Sequence, residues 1–190
     1  MPLNRECGFT LIEVLITIVI LAFGLLGVAA LQVRLQLAQA ESYHRAHAVL
    51  LLQDMVDRVN AGRSDAMNYV TAGALGAGNT IQDCTGLAGA AFDLCEWNNS
   101  LLGAAESTAG GQQVGGMIDA RGCVANVVGT MPREFVIAVT WQGLAPTEAP
   151  ASIHCGQGLY GDERMRRALI ARVTIGCLQN DPVTGLCVTP

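Results

Sequence analysis

The sequence contains no lysine: its 11 basic residues are all arginine, and with 16 acidic residues they leave a net charge of −5. Nucleic-acid-binding domains usually carry a basic patch, so this balance argues against nucleic acid as a partner. No CxxC pair is present, and His44, His47 and His154 lack the spacing of zinc-finger ligands. We therefore expect neither a metal nor any other cofactor.

Proline is absent between Val14 and Ala61, so every residue of that stretch keeps the backbone N–H that helical hydrogen bonding needs. From Phe9 to Leu31 the chain is apolar enough, and long enough, to span a bilayer as a helix. Glu13 is the one charge in this run. A carboxylate in hydrocarbon costs about 2.5–3.5 kcal/mol, so Glu13 requires a compensating partner or function.

Gly8 stands directly before this apolar run, whereas an ordinary secretory signal has its small-residue cleavage site after the apolar segment. Cys7 follows a polar stretch, which argues against a lipoprotein signal. The segment Gly8–Leu15, in which a glycine and Phe9 precede an apolar helix with Glu13 four positions later, resembles the class III signal of type IV pilins and type II secretion pseudopilins. In that family a prepilin peptidase cuts after the glycine, and the new N-terminal residue is N-methylated.

The resemblance implies that residues 1–8 are a leader ending at Gly8, that Phe9 becomes the methylated N-terminus, and that Glu13 acts in assembly. Cleavage would expose an amine on Phe9, and a cation beside apolar helices needs a counter-charge that Glu13 can supply. The alternative is that Glu13 only interacts favourably with the helix dipole, which is worth about 0.3–1 kcal/mol and does not offset burial in lipid.

Two longer segments, Phe23–Gln32 and Leu52–Val59, resemble PilV-type minor pilins, also called type IV pilus modification proteins. Phe92–Trp97 and Cys155–Tyr160 are similar in kind to segments of that family. Major pilins commonly carry a proline within the anchor, and none occurs here. The resemblance implies an α+β, pilin-like ladle fold, in which a long N-terminal helix packs on an antiparallel sheet with a disulfide-bounded C-terminal loop.

We expect a transmembrane and polymerisation helix over residues 9–31, its amphipathic continuation over 32–61, and a globular head over 62–190. In the continuation, one set of apolar residues recurs at helical spacing and is predicted to pack on the head: Leu35, Ala38, Ala46, Val49, Leu52, Val56 and Val59.

Residues 62–121 are rich in glycine and alanine and are predicted to form a connector with one short helix within Gly89–Ala105, where Trp97 buries its ring. The glycine-rich run at 73–78 has no preceding strand and no following Gly-Lys-Ser/Thr, so we interpret it as a flexible loop and not as a phosphate-binding loop.

Residues 122–190 are predicted to form an antiparallel sheet with strands over Gly122–Val128, Glu134–Gln142 and Arg167–Cys177. The second strand places an apolar set on one face: Phe135, Ile137, Val139 and Trp141. A sheet with one apolar face needs a cover, and the amphipathic part of the N-terminal helix is the nearest apolar surface available.

Six cysteines remain once the leader, with Cys7, is removed, and an even number in an oxidising compartment suggests disulfides. The connectivity is open, and we favour the sequential pairing Cys84–Cys95, Cys123–Cys155 and Cys177–Cys187. The last bridge would enclose a C-terminal loop that is either a contact surface or simply a stabilised terminus.

Two other clusters contain residues of the kinds that form sites. Arg164, Arg166 and Arg167 form a small basic cluster that could contact DNA or an acidic partner subunit, although two acidic residues adjoin it. His154 beside Cys155 is not a base and its nucleophile, because adjacent residues on an extended chain point to opposite faces. We find no catalytic residues and expect no enzyme.

The favoured function is that of a minor pilin in the initiation, assembly or modification of a type IV pilus used in adhesion or motility. Its partners would be other minor and major pilins through the N-terminal helix, the prepilin peptidase/methyltransferase and the inner-membrane assembly platform. It would span the inner membrane once, with the head extracytoplasmic, and enter the pilus on assembly. The alternatives are a minor pseudopilin of type II secretion and a membrane-anchored extracytoplasmic binding protein that never polymerises.

Overall fold

The computed structural model describes residues 9–104, 116–127, 133–176, 179–180 and 187–189. The helices are α1 (Leu11–Ala61) and α2 (Gly89–Leu101), with 3-10 turns at Arg63–Tyr69 and Glu163–Met165. The strands are β1 (Leu75–Gly76), β2 (Arg121–Val127), β3 (Arg133–Gln142), β4 (Arg166–Ile175), β5 (Gln179–Asn180) and β6 (Cys187–Thr189). The chain divides into two compact units, the anchor unit Met1–Ser42 and the head unit Tyr43–Pro190.

The predicted long helix is confirmed. α1 is helical through Gly24 and Gly27, since its apolar, proline-free sequence leaves its backbone hydrogen bonding uninterrupted. In the anchor unit every described side chain from Phe9 to Gln39 is exposed. The helix is long and apolar enough to cross a membrane by length and composition.

The head unit contains a four-stranded antiparallel sheet with the order β1-β2-β3-β4. In the register of the central pair, Arg121 lies opposite Thr140 and Val127 opposite Glu134. β3 pairs along its whole length with β4, from Arg133 opposite Ile175 to Gln142 opposite Arg166. The predicted α+β architecture with an antiparallel sheet is therefore confirmed.

The interpretation of residues 73–78 as a flexible loop is wrong, because Leu75 and Gly76 pair with β2 as strand β1. Gly76 adopts a φ of +89°, which side chains other than glycine rarely tolerate, and its N–H donates a 2.9 Å hydrogen bond to Asn98 Oδ1. The glycine therefore shapes an ordered sheet edge that is fastened to α2.

The core lies between the end of α1, α2 and one face of the sheet. Phe135, Ile137, Val139 and Trp141 are buried as predicted. The α1 residues that join them are Ala48, Leu51, Leu52, Met55 and Val59.

The predicted packing face of α1 is only partly correct. Leu52 and Val59 are buried and Val56 is half-buried, but Ala46 and Val49 are exposed, as are Leu35 and Ala38 in the anchor unit. Residues 48–52 are all apolar, so spacing alone does not identify which of them faces the core.

The short helix expected after residue 89 is α2, and Trp97 is fully buried on it. The ring lies against Gly122 of β2: a Cβ at that glycine would stand 2.6 Å from Trp97 Cζ3. The close approach of α2 to the sheet thus depends on a missing side chain.

The sheet is also covered on its second face, which the sequence did not predict. Ala138 and Thr140 are buried there, and the hydroxyl groups of Thr140 and Tyr160 are 2.8 Å apart. Residues 143–165, which we call the strap, therefore pack over the face opposite α1 and α2.

Candidate functional site

The predicted processing and assembly residues lie at the start of α1. Gly8 is outside the described residues, while Phe9 and Thr10 precede the helix. Thr10 opens the first turn, since its carbonyl accepts hydrogen bonds from the N–H groups of Glu13 at 3.1 Å and Val14 at 3.3 Å. Glu13 follows Phe9 by four positions, so the two are about one helical turn apart along the chain.

Within the described ranges, the Glu13 carboxylate has no hydrogen-bond or ion-pair partner. The nearby Thr17 hydroxyl donates to its own backbone at Val14 O over 2.8 Å, so this polar group is already satisfied. Glu13 is consequently the one charged group of the apolar run and is available to a group from outside the chain.

The surface around Glu13 is apolar and exposed. Phe9 is 78% exposed and Leu11 84%, and the exposed apolar side chains continue along α1 to Leu37. An apolar surface of this extent marks a membrane or protein contact, because water does not favour it. The natural surroundings of this helix are therefore lipid or other apolar helices.

Within the head unit, the C-terminal part of α1 also presents exposed apolar residues. Val49 is 41% exposed and Leu50 67% exposed, beside the exposed Ala46. Sequence periodicity assigned Ala46 and Val49 to the core, and the structure instead leaves them on the outside. This part of α1 thus has one face in the core and one free for another molecule.

A polar network, which we call the α1–α2 clamp, joins the two helices of the head. Arg58 Nε donates to both Asp54 carboxylate oxygens at 3.0 Å, and its NH1 donates to Asp93 Oδ1 at 3.0 Å. Tyr69 donates its hydroxyl to the other oxygen of Asp93 over 2.5 Å. Burial raises the pKa of Tyr69 above its usual value, and the hydrogen bond to Asp93 adds to this effect. Asp54 and Arg58 have helical i,i+4 spacing, but Asp93 and Tyr69 are distant from them in sequence, so no local pattern predicts the whole network.

Two disulfides hold the head unit. Cys84 is bonded to Cys95 and Cys123 to Cys155, each with a Cα–Cα distance of 5.8 Å. These are the first two pairs of the sequential arrangement. Cys177 lies outside the described residues, and only the backbone of Cys187 is described.

The three arginines of the basic cluster, Arg164, Arg166 and Arg167, all form hydrogen bonds within the head. Arg166 is 2% exposed and donates to Glu163 Oε2 at 2.7 Å, with further bonds to three strap carbonyls. Arg164 pairs with Asp162 at 2.8 Å, and Arg167 donates to the carbonyls of Arg164 and Ala145. The possibility that these arginines form a contact surface is therefore ruled out for Arg166, which is buried.

His154 also has a local role. Its Nδ1 lies 3.0 Å from Gln157 Oε1, and the neighbouring Cys155 sulfur is held in a disulfide. This sulfur therefore does not serve as a free nucleophile for the histidine to activate.

The start of the chain matches a known family model. Residues 3–29 match the family model described as the prokaryotic N-terminal methylation motif, and this range contains Gly8, Phe9 and Glu13. Comparison of the chain with curated proteins and with solved structures gave no match. The matched family is structural and not enzymatic, and its motif is one at which prepilin processing occurs.

Proposed function

We propose that this type IV pilin-like, prepilin-processed protein is a minor pilin that takes part in the initiation, assembly or modification of a type IV pilus. One observation carries the proposal. The methylation motif opens α1 with an exposed apolar segment, residues 9–31, whose one carboxylate, Glu13, has no partner among the described residues.

The chemistry of that carboxylate favours assembly over simple anchoring. Cleavage after Gly8 would place an amine on Phe9, and burying either charge alone among apolar helices is unfavourable. Pairing Glu13 of one subunit with the amine of its neighbour offsets both costs. Such a pair forms in only one axial register, so it would also align the helices.

The surface of the head supports contacts with other subunits. Val49 and Leu50 leave an apolar face on α1 within the head unit. We infer that helices of neighbouring major and minor pilins cover this face in a filament. Before assembly the chain would be held in the inner membrane by residues 9–31, with residues 62–190 outside the cytoplasm, where the peptidase/methyltransferase and the assembly platform act on it.

The minor-pilin assignment rests on the resemblance of Phe23–Gln32 and Leu52–Val59 to PilV-type proteins. A minor pseudopilin of type II secretion is the second candidate, because its class III signal has the same pattern. Deleting the gene and counting surface pili, with and without retraction blocked, separates the two. If the protein is a minor pilin, we expect fewer surface pili after the deletion. Whether blocking retraction restores their number then separates an assembly role from a decorating role. Normal piliation with lost protein secretion would favour the pseudopilin.

The absence of lysine gives a direct test of assembly. After processing, the Phe9 amine is the one amine of the chain, so a carbodiimide crosslink formed by an amine of this subunit must start there. In isolated filaments we expect this amine to be linked to the glutamate of a neighbouring subunit.

The Glu13→Gln variant should be absent from filaments. The Thr17→Val variant is the control and should enter filaments normally, because the Thr17 hydroxyl bonds only its own helix. Normal incorporation of Glu13→Gln would contradict the assembly role of Glu13, whereas absence of the unsubstituted protein from filaments would favour a non-polymerising anchored protein.

A further inference from the structure

A groove of about 380 Å³ opens on the head unit beside one of the disulfides. Its volume falls within the usual range for small-ligand sites. Three segments line it: residues 71–74 before β1, residues 123–125 of β2, and His154 to Gln157 with Leu159 from the strap. The Cys123–Cys155 bond joins the second segment to the third, so both of its residues face this groove.

The two disulfides differ in access. Cys123 is half-buried, and Cys155 is 8% exposed on the groove wall. Cys84 and Cys95 are both buried, and the Asn99 side-chain amide donates to Cys84 Sγ at 3.4 Å. Reaction of a disulfide with a thiol depends on access to the sulfur. Cys123 is therefore the most exposed of these four cysteines, and we expect its sulfur to be the one that an external thiolate reaches.

Contacts other than the disulfide also hold the main chain at Cys155. Arg166 donates to Cys155 O at 3.2 Å and to the strap carbonyls of Ile153 at 2.6 Å and Pro150 at 3.2 Å. Tyr160 fixes the same segment by donating to Asp119 O at 3.1 Å. After the sulfur–sulfur bond is broken, these contacts keep the two thiols near each other, which allows the bond to re-form.

The groove is also electrostatically suitable for an approaching anion. None of the described residues that line it is acidic, and His154 is one of them. A thiolate entering the groove therefore meets no carboxylate on the lining that would repel it.

From this geometry we propose that Cys123–Cys155 is a thiol-exchange site, and that the groove admits the thiolate of a dithiol. The thiolate attacks Cys123 Sγ, forms a mixed disulfide, and displaces Cys155 as a thiolate, which takes a proton from water. The second thiol of the reagent, as its thiolate, then attacks the mixed disulfide and releases Cys123. The reagent is oxidised to its disulfide, and the protein receives two electrons. The dithiol is either a small molecule or the CxxC segment of a thiol–disulfide oxidoreductase.

Graded reduction of the folded protein tests the site order. The full chain is treated with increasing dithiothreitol without denaturant, alkylated, and mapped by mass spectrometry. We expect Cys123 and Cys155 to be alkylated at about tenfold lower dithiothreitol than Cys84 and Cys95, because access limits exchange. Alkylation of Cys84 and Cys95 first, or of all four together, would overturn the proposal.

A CxxC oxidoreductase tested in parallel shows which kind of dithiol the site prefers. At equal thiol concentration, faster reduction by the oxidoreductase than by dithiothreitol favours the enzyme, and slower reduction favours the small dithiol.

Variants at the groove test its role separately from the filament function. Ala72 is exposed on the groove wall, so Ala72→Trp should slow the alkylation of Cys123 by about tenfold through reduced access. Ala46→Trp, on the exposed side of α1, is the matched control and should leave the rate unchanged. Circular dichroism checks folding. If Ala72→Trp is unfolded, Leu159→Ala decides instead: a wider groove should raise the rate, and an unchanged rate would contradict the proposal.

Discussion

Trp97 Nε1 donates a 2.9 Å hydrogen bond to the main-chain carbonyl of Leu51. A fully buried side chain of α2 is thereby fastened to the backbone of α1. The α1–α2 clamp at Arg58 and Asp93 repeats this connection further along α1. The end of the N-terminal helix is consequently an integral part of the head.

Gly122→Ala should destabilise the head, because the new methyl group would meet Trp97 Cζ3 at 2.6 Å and Leu101 Cδ1 at 2.8 Å. Overpacking of this kind costs about 1–3 kcal/mol of unfolding free energy. Urea denaturation of the full chain in detergent measures it. Gly176→Ala is the matched control, since a Cβ there has no neighbour within 4 Å among the residues that the structure describes. Equal midpoints for the two variants would show that the glycine is not required for packing.

Asp93→Ala should remove the centre of the α1–α2 clamp and leave Arg58 and Tyr69 without this partner. Losing charge-assisted hydrogen bonds in a partly buried setting costs about 1.5–3 kcal/mol. Arg172→Ala is the comparison, since its pair with Glu134 is on the surface and should contribute below about 1 kcal/mol. A double-mutant cycle of Arg58 and Asp93 measures the coupling, and additive effects would contradict the clamp.

Stability should fall at alkaline pH because buried tyrosines keep their protons. Burial raises the pKa of Tyr160 to about 12, and the pKa of Tyr69 is also raised. The unfolded chain releases phenolic protons near pH 10, so unfolding becomes favoured as pH rises from about 10 to 12 and is unaffected below that range. With no lysine titrating there, the effect is easily read from urea midpoints. Tyr160→Phe should reduce the slope with pH, and an unchanged slope would contradict the assignment.

Several elements were predictable because their signal is local. Alternating apolar residues located β3, and Phe135 to Trp141 face the core as that alternation requires. The face of α1 was not predictable in the same way, since Val49 and Leu51 are equally apolar and only the folded core, in which Leu51 packs and Val49 does not, distinguishes them. The burial of Thr140 was missed because it depends on Tyr160 of the strap, which Arg166 and a disulfide position from a distance in sequence.

The same limit applies to the candidate site. Gly8, Phe9 and Glu13 lie within six residues, so their roles can be predicted from a local pattern, and the family match covers all three. The groove at Cys123 combines three separate segments, so no local pattern marks it. Local motifs thus predict the processing and assembly segment, while the surfaces of the head require the folded structure.

Gly8→Ala should block removal of the leader, because the resemblance places the cleavage site directly after this residue. Mass spectrometry of membrane fractions should then find residues 1–8 still attached, and the subunit should be absent from filaments. Cys7→Ser is the matched control: it changes the adjacent residue of the leader and should be processed normally. Finding methylated Phe9 at the N-terminus of the Gly8→Ala protein would remove Gly8 from the account.

The mass of the chain recovered from sheared surface filaments tests the proposed function most directly. We expect the protein in that fraction, without residues 1–8 and with a single methyl group on the amine of Phe9. A chain that retains Met1, or one that is found in the membrane and never in filaments when pili are abundant, would contradict its role as a processed pilus subunit.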